Sequence, residues 1–377
     1  MSVRRLGVEA ALVDGRLLPG DVSVDGDVVA EVGLPPAPGG RVAAPGLVDL
    51  QVNGFAGVDV MDADEERVRA LARSLPAYGV TAWLPTLITA PAEHVGRALD
   101  VLAAVVPPAG ARAPLGEAVT LGVHLEGPYL SPRRLGTHPA AHRRDPDPAE
   151  MASWRARGPV VAVTLAPELP GALDLVRSLS ADGVLVSAGH TDATAAQADA
   201  AFDAGARTVT HLFNAMSALN HREPGVPGAA LAREDVTVQM IVDGYHVAPE
   251  VVRVAWAAAR GRVVLVTDAT AAAGKPDGRY VLAGVELFVT DGAVRNAEGA
   301  LAGSALTLDA AVRNACEIGI DPAAALTAAT EAPARLLRRT DVGSLRPGAR
   351  ADVTVFDDAM TLTRTLLAGQ PVEGGAG

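Results

Sequence analysis

Several residue types are scarce in this sequence, and each shortage closes off a class of protein. A single cysteine, Cys316, among 377 residues has no partner for an internal disulfide and excludes a cysteine-built zinc knuckle. Lysine is represented once, by Lys275, so arginine carries almost all the positive charge. That charge is itself in deficit: 32 Lys+Arg stand against 44 Asp+Glu, a formal net charge of −12. Nucleic acid and acidic membranes are therefore not expected partners, and an anionic substrate needs a local cationic pocket. No apolar run is long enough to span a bilayer. Glu9 and Asp14 break the apolar stretch behind Arg4 and Arg5, so a secretory leader is not expected and a cytoplasmic protein is. The low aromatic content (3%) accompanies abundant Ala, Val and Gly and carries no functional meaning.

What is present is ample for a continuous core, with 49% hydrophobic residues. Residues 3–43 alternate apolar and polar around Asp-Gly and Gly-Asp pairs, the pattern of short hairpins. Residues 343–377 (GSLRPGARADVTVFDD onward) read alike, so the two ends, 1–44 and 343–377, are expected to form one small β-sandwich domain. Between them, over 45–342, β-branched runs alternate with Ala/Leu/Arg-rich helical stretches. Eight strands are expected at 47–53, 81–88, 120–126, 160–166, 184–190, 208–214, 236–243 and 263–268. Helices are expected at 63–78, 91–106, 171–182, 193–204 and 248–260, the second opening on Pro91. This is the pattern of a (β/α)₈ TIM barrel in the α/β class. A doubly wound open sheet is the rival, but no G-x-G-x-x-G follows an early strand.

A barrel of this kind carries its chemistry at the C-terminal rim of the strands. Asp49, Gln51 and Asn53 end the first expected strand, His124 and Glu126 the third, and His190 the fifth. His211 and Asn214 end the sixth, Asp243 and His246 follow the seventh, and Asp268 ends the eighth. Taken singly, each has a bland reading: a buried histidine is more often a hydrogen-bonded core residue, and an Asp after a strand commonly caps the next helix. For His94, His142 and His221, in polar or helical surroundings, the bland reading is the better one. Jointly, Glu126, His190, His211 and Asp268 would converge on one rim, where burying them without a metal is costly. Two imidazoles and a carboxylate suit Zn²⁺ or a similar divalent ion with a position left for water.

The segments PGLVDLQVNGFAG (45–57), GVHLEGPYLSPRRLGTHPA (122–140), SAGHTDAT (187–194), THLFNAMSALNHREPG (210–225), VDGYHVAPE (242–250), LVTDATAAAG (265–274) and GALAGSALT (299–307) then carry a likeness. In this order, they resemble the N-acetylglucosamine-6-phosphate deacetylases of the amidohydrolase superfamily. HLEGP, GTH, HLFNAM with a downstream REPG, and DGYH are the specific parts. The resemblance implies that Glu126, His190 and His211 are the metal ligands and that Asp268 is the general base and acid. It assigns substrate binding to Thr137, His138, Asn214, Ala215, Arg222, Asp243, Gly244, Tyr245, His246, Leu301, Ala302 and Gly303. It also implies a homodimer, or a dimer of dimers, in which Arg222 reaches the phosphate in a neighbouring subunit.

The sequence departs from the wider superfamily at strand 1. Many members have His-x-His there and a bridging lysine after strand 4, whereas this chain has Gln51-Val52-Asn53 and no lysine before Lys275. Glu126 must supply the carboxylate. One divalent metal per subunit is expected, Zn²⁺ or else Fe²⁺ or another divalent ion, with Gln51 standing where a histidine would help hold a second. The implied reaction is hydrolysis of the acetamide of N-acetylglucosamine 6-phosphate by metal-activated water, with Asp268 moving the proton and His138 or the metal stabilising the oxyanion. Other metal-dependent deacetylases, of N-acyl amino acids or of the galactosamine epimer, stay open. So does a silent sugar-phosphate-binding barrel, although none of the implied catalytic residues is missing.

Overall fold

The structure is a computed structural model, describing residues 3–108 and 114–372. Eight parallel strands form the barrel: β1 (Leu47–Val52), β2 (Val80–Leu87), β3 (Val123–Glu126), β4 (Val160–Leu165), β5 (Leu185–Ala188), β6 (Thr208–Val209), β7 (Thr237–Met240) and β8 (Val263–Leu265). Each pairs with the next in chain order from β1 to β8. Both β1 and β2 are buried along their whole length, as parallel strands covered on both faces must be. Helices at Glu65–Ser74, Ala92–Val105, Ala172–Ala181, Ala195–Ala204 and Pro249–Ala259 lie where they were expected. Asp64 caps the first of these through Arg67 N–H, and Thr194 with Gln197 forms a capping box on the fourth. Pro91 stands just before its helix, at the N-cap.

Buried polar residues face one another in register inside the barrel. Glu126 pairs with Thr164 across β3–β4, and Ser187 with Thr208 across β5–β6. The ring is nearly closed: among the described residues β8 and β1 share no ladder, only a single bridge between Val52 and Ala269. Trp83, Leu84, Leu99, Leu102 and Phe202 belong to the main core between barrel and helices. A buried side chain of this size contributes roughly 1.5–3 kcal/mol.

Both ends of the chain meet in a composite β-domain. A six-stranded sheet joins Ala10–Val13, Arg16–Pro19 and Val42–Pro45 to Val353–Phe356, Leu362–Leu367 and Gln370–Pro371. A three-stranded sheet (Arg4–Arg5, Asp21–Asp25, Val28–Leu34) accompanies it, around a second core including Val8, Val22, Val24, Val353 and Leu366. No helix among the described residues is long and apolar enough to cross a membrane.

Two features differ from the sequence reading. A three-stranded antiparallel sheet, Gly278–Leu282, Val285–Thr290 and Ala293–Asn296, follows β8. Its hairpins turn at Ala283-Gly284 and Asp291-Gly292, all four residues with positive φ, the two-residue turns that match strand twist. Further, β5 to β8 end earlier than expected. For β5, β6 and β8 the cause is conformational: His190 (φ 48°), His211 (φ 32°) and Asp268 (φ 52°) adopt left-handed backbone conformations that an extended strand cannot include.

Candidate metal and substrate site

A cavity of about 350 Å³ opens at the C-terminal rim of the barrel. Its lining includes Asn53 after β1, Ile88 after β2, Glu126 at the end of β3, His190 after β5, His211 after β6 and Asp268 after β8. Left-handed backbone at a non-glycine residue costs on the order of 1–3 kcal/mol. Here it is tolerated at His190, His211 and Asp268 because neighbouring groups hold the turns. Gly189 is one such support. A Cβ there would lie 2.8 Å from both Thr164 Cγ2 and Thr210 Cβ, so only glycine lets the chain cross this layer and present His190.

Three ligand-type atoms converge. His190 Nε2 and His211 Nε2 each lie 3.1 Å from Glu126 Oε1, and 3.1 Å from each other. Ligands about 2.0–2.1 Å from a tetrahedral zinc are roughly 3.3 Å apart, so this triangle is nearly one face of such a site. Arg134 O accepts from His190 Nδ1 at 2.9 Å, which fixes the tautomer that leaves Nε2 a lone pair for a cation. The donor set fits a divalent metal. Burial alone would raise the Glu126 carboxyl, but the imidazoles of His138, His190 and His211 beside it hold it well below the usual carboxylate range.

His138 stands beside this triangle. Glu126, His138 and His190 offer ligand atoms all within 4.8 Å of one another, and His138 Nε2 is 3.7 Å from Glu126 Oε2. Its Nδ1 accepts the Thr89 N–H at 3.2 Å, so Nε2 carries the ring proton and faces the cavity as a donor. Thr89 was missed in the sequence because a threonine after an apolar strand carries no distinctive signal.

Asp268 is 8% exposed. Its Oδ1 accepts from Gln51 Nε2 (2.9 Å) and Asn53 Nδ2 (2.7 Å). Gln51 Nε2 also donates to Glu126 Oε1 at 3.1 Å. The Gln51 amide thus bridges the two carboxylates, while the Asn53 amide bonds to Asp268 alone. Burial, reinforced by the nearby Glu126 charge, pushes the Asp268 carboxyl up to about 6. Gly303 (φ 57°) packs on it; a Cβ there would meet Thr270 Cγ2 at 2.6 Å.

Of the other expected residues, Thr137, Asn214, Ala215, His246, Leu301 and Gly303 line the cavity. Asp243, Gly244, Tyr245 and Ala302 do not. Asp243 instead grips His246: Oδ2 meets His246 Nδ1 at 2.7 Å, and Oδ1 accepts the Tyr245 and His246 N–H groups. Burial would raise the Asp243 carboxyl, but the bonds to His246 bring it below its ordinary value. Tyr245 hydrogen-bonds through its hydroxyl to Asp291 O in the added sheet. Arg222 is exposed and lines a separate depression with Asp192 and Ser217. Arg133 and Arg134, absent from the expected set, line the main cavity, both paired with Asp192. His124, at the end of an expected strand, is a core histidine between Thr86 and Thr164, and burial lowers its pKa to about 4. His94 pairs with Asp62 at the surface.

Comparison with known proteins agrees with this geometry. The amidohydrolase family profile matches residues 42–372. An N-acetylgalactosamine-6-phosphate deacetylase of Escherichia coli O157:H7 is 42% identical over 334 residues, 88% of this chain and 87% of its own. An N-acetylglucosamine-6-phosphate deacetylase of Vibrio furnissii is 36% identical over 333 residues, 87% of this chain and 82% of its own. The solved structure of a mutant Mycobacterium smegmatis N-acetyl-D-glucosamine-6-phosphate deacetylase, in complex with N-acetyl-D-glucosamine-6-phosphate, superposes with a TM-score of 0.90. It is 36% identical, with 99% of this chain and 100% of that one covered. The chain is therefore a member of the amidohydrolase family, in the branch that holds the N-acetylglucosamine-6-phosphate deacetylases.

Proposed function

We propose that the chain is a cytoplasmic enzyme that hydrolyses the acetamide of N-acetyl-D-glucosamine 6-phosphate to D-glucosamine 6-phosphate and acetate. The observation that carries this reading is the meeting of Glu126 Oε1, His190 Nε2 and His211 Nε2 beside Asp268 in one open cavity. Those three residues would hold a single divalent cation, Zn²⁺ first and Fe²⁺ or another ion as alternatives that the same donors suit. When bound, such a cation supplies Lewis acidity, polarising an amide carbonyl and lowering the pKa of water from about 15.7 toward 7.

The protein's own groups do the rest. Both amide donors go to Asp268 Oδ1, which leaves Oδ2 to take a proton from the attacking water and return it to the departing amine. A carboxyl raised to about 6 accepts and releases a proton near neutrality. The His138 Nε2–H would bond the carbonyl oxygen as it gains charge, a donor typically worth about 2.7–4 kcal/mol. His246, held by Asp243, with Asn214 and Ala215, would receive the phosphate, while Thr137, Leu301 and Gly303 would border the sugar. Arg222, exposed and outside its own chain's cavity, would reach the phosphate in a neighbouring copy within a homodimer or dimer of dimers.

A second reading takes the galactosamine epimer as substrate; the 42% identity to an N-acetylgalactosamine-6-phosphate deacetylase favours it. Acetate release by the purified protein from the two 6-phosphates and from unphosphorylated N-acetylglucosamine decides. The expected result is a kcat/KM for a 6-phosphate at least ~10²-fold above that for the free sugar, and Asp268→Asn should abolish turnover with metal content intact. No acetate from either phosphate would sink the reading.

A further inference from the structure

Strand β1 and the residue just after it place Asp49, Gln51 and Asn53 at i, i+2 and i+4, all engaging the same segment. All three reach across the open seam toward the segment after β8. Gln51 and Asn53 engage the Asp268 carboxylate. Asp49 engages the residue before it: Thr267 Oγ1–H donates to Asp49 Oδ2 at 2.6 Å and Thr267 N–H to Oδ1 at 3.3 Å. The same Thr267 Oγ1 accepts the Ala269 N–H at 3.1 Å. Its side chain therefore straddles Asp268, whose backbone is left-handed at φ 52°. Elsewhere around the ring a hydrogen-bonded ladder sets the register; here, among the described residues, there is no ladder but the Val52–Ala269 bridge, with the Asn53 and Gly54 N–H groups both donating to Ala269 O.

Asp49 is an expensive residue to keep in that place. It is 1% exposed, and among the described residues no cation pairs with it. Burial pushes its carboxyl up to about 7 even though Thr267 and the Gln51 N–H donate to it. A hydrophobic residue would serve a barrel interior at lower cost. Unlike an apolar side chain, a carboxylate can bind a backbone N–H and a hydroxyl of one residue together, and so fix that residue's orientation.

We propose that Asp49 is a positioning residue that, through Thr267, sets the place of the Asp268 carboxylate relative to Glu126. This rests on the reading of Asp268 as the proton-transfer group. Displacing such a group by about 1 Å costs on the order of 10²-fold in rate, whereas substrate binding through His246, Asn214 and Ala215 is placed on the segments after β6 and β7.

Thr267→Val keeps the shape and removes the hydroxyl; Thr267→Ser keeps the hydroxyl; Asp49→Asn keeps the shape and one acceptor. With an N-acetyl amino-sugar 6-phosphate as substrate, Thr267→Val and Asp49→Asn should each lower kcat about 10- to 10²-fold. Their KM should stay within about twofold and metal per chain should not change, while Thr267→Ser should recover kcat to within about threefold. If Thr267→Val fails to fold, Asp49→Asn and Thr267→Ser decide alone. Wild-type kcat in folded Asp49→Asn overturns the proposal, as does a kcat loss that tracks loss of metal or an equal rise in KM. An inactive wild-type protein would instead refute the proposed reaction, a different result from any of these.

Discussion

His190 and His211 point their Nε2 atoms at one another across 3.1 Å. Glu126 Oε1 lies 3.1 Å from each of them, so the three atoms are placed to share one cation. Chelation should therefore abolish activity, and one equivalent of a divalent ion per chain should restore it. His211→Ala should lower metal content from about one per chain to below about a tenth, since a tetrahedral site with three protein ligands loses one of them. Elemental analysis of the purified variant checks this, and full occupancy in His211→Ala would show that the ligand set is wrong.

The Asp268 carboxyl is raised to about 6, chiefly by burial and then by the Glu126 charge, while the Asn53 hydrogen bond works in the opposite direction. Asn53→Leu removes that donor and so should raise the pKa further. A general base works only when ionised. The acidic limb of the kcat/KM profile should accordingly move to higher pH in Asn53→Leu, with activity lost first on the acid side and nearly retained at alkaline pH. A limb that moves to lower pH, or does not move, contradicts the assignment of Asp268 as base.

Gly189 offers a test of the turn that presents His190. Its missing Cβ would sit 2.8 Å from Thr164 Cγ2 on β4 and Thr210 Cβ just after β6, buried side chains with little room to retreat. Gly189→Ala should destabilise the protein by about 1–3 kcal/mol, the usual cost of overpacking. It should also weaken metal binding, because the shift falls on the next residue. Thermal unfolding and metal retention measured on the same sample report the two effects together.

The barrel was legible because buried parallel strands and helical stretches have different periods, and all eight expected strands lie where β1 to β8 are found. The ends of β5, β6 and β8 were not legible, since His190, His211 and Asp268 leave strand geometry in the left-handed region and nothing in their side-chain types announces it. The sheet at 278–296 has a signal of its own, Ala283-Gly284 and Asp291-Gly292 between alternating runs, outside the βα pattern. Residues that act through contacts, such as Thr89 behind His138 and Thr267 beside Asp49, are common types in common settings. Only their distances single them out.

Arg222 separates a site completed within one chain from a site shared between copies. It is exposed, lines a depression apart from the cavity, and makes no ion pair or hydrogen bond among the described residues. If it serves a neighbour, Arg222→Gln and Asp268→Asn damage different sites of a mixed dimer. A hybrid holding one chain of each kind then has one intact site: the Arg222→Gln chain keeps its own Asp268 and borrows Arg222 from the other. Unfolding and refolding the two inactive variants together, in equal amounts, should return about a quarter of wild-type activity, because half of the random dimers are hybrids with one working site in two. If Arg222 acts within its own chain, each site in the hybrid lacks one essential group and the mixture gains nothing over its parts.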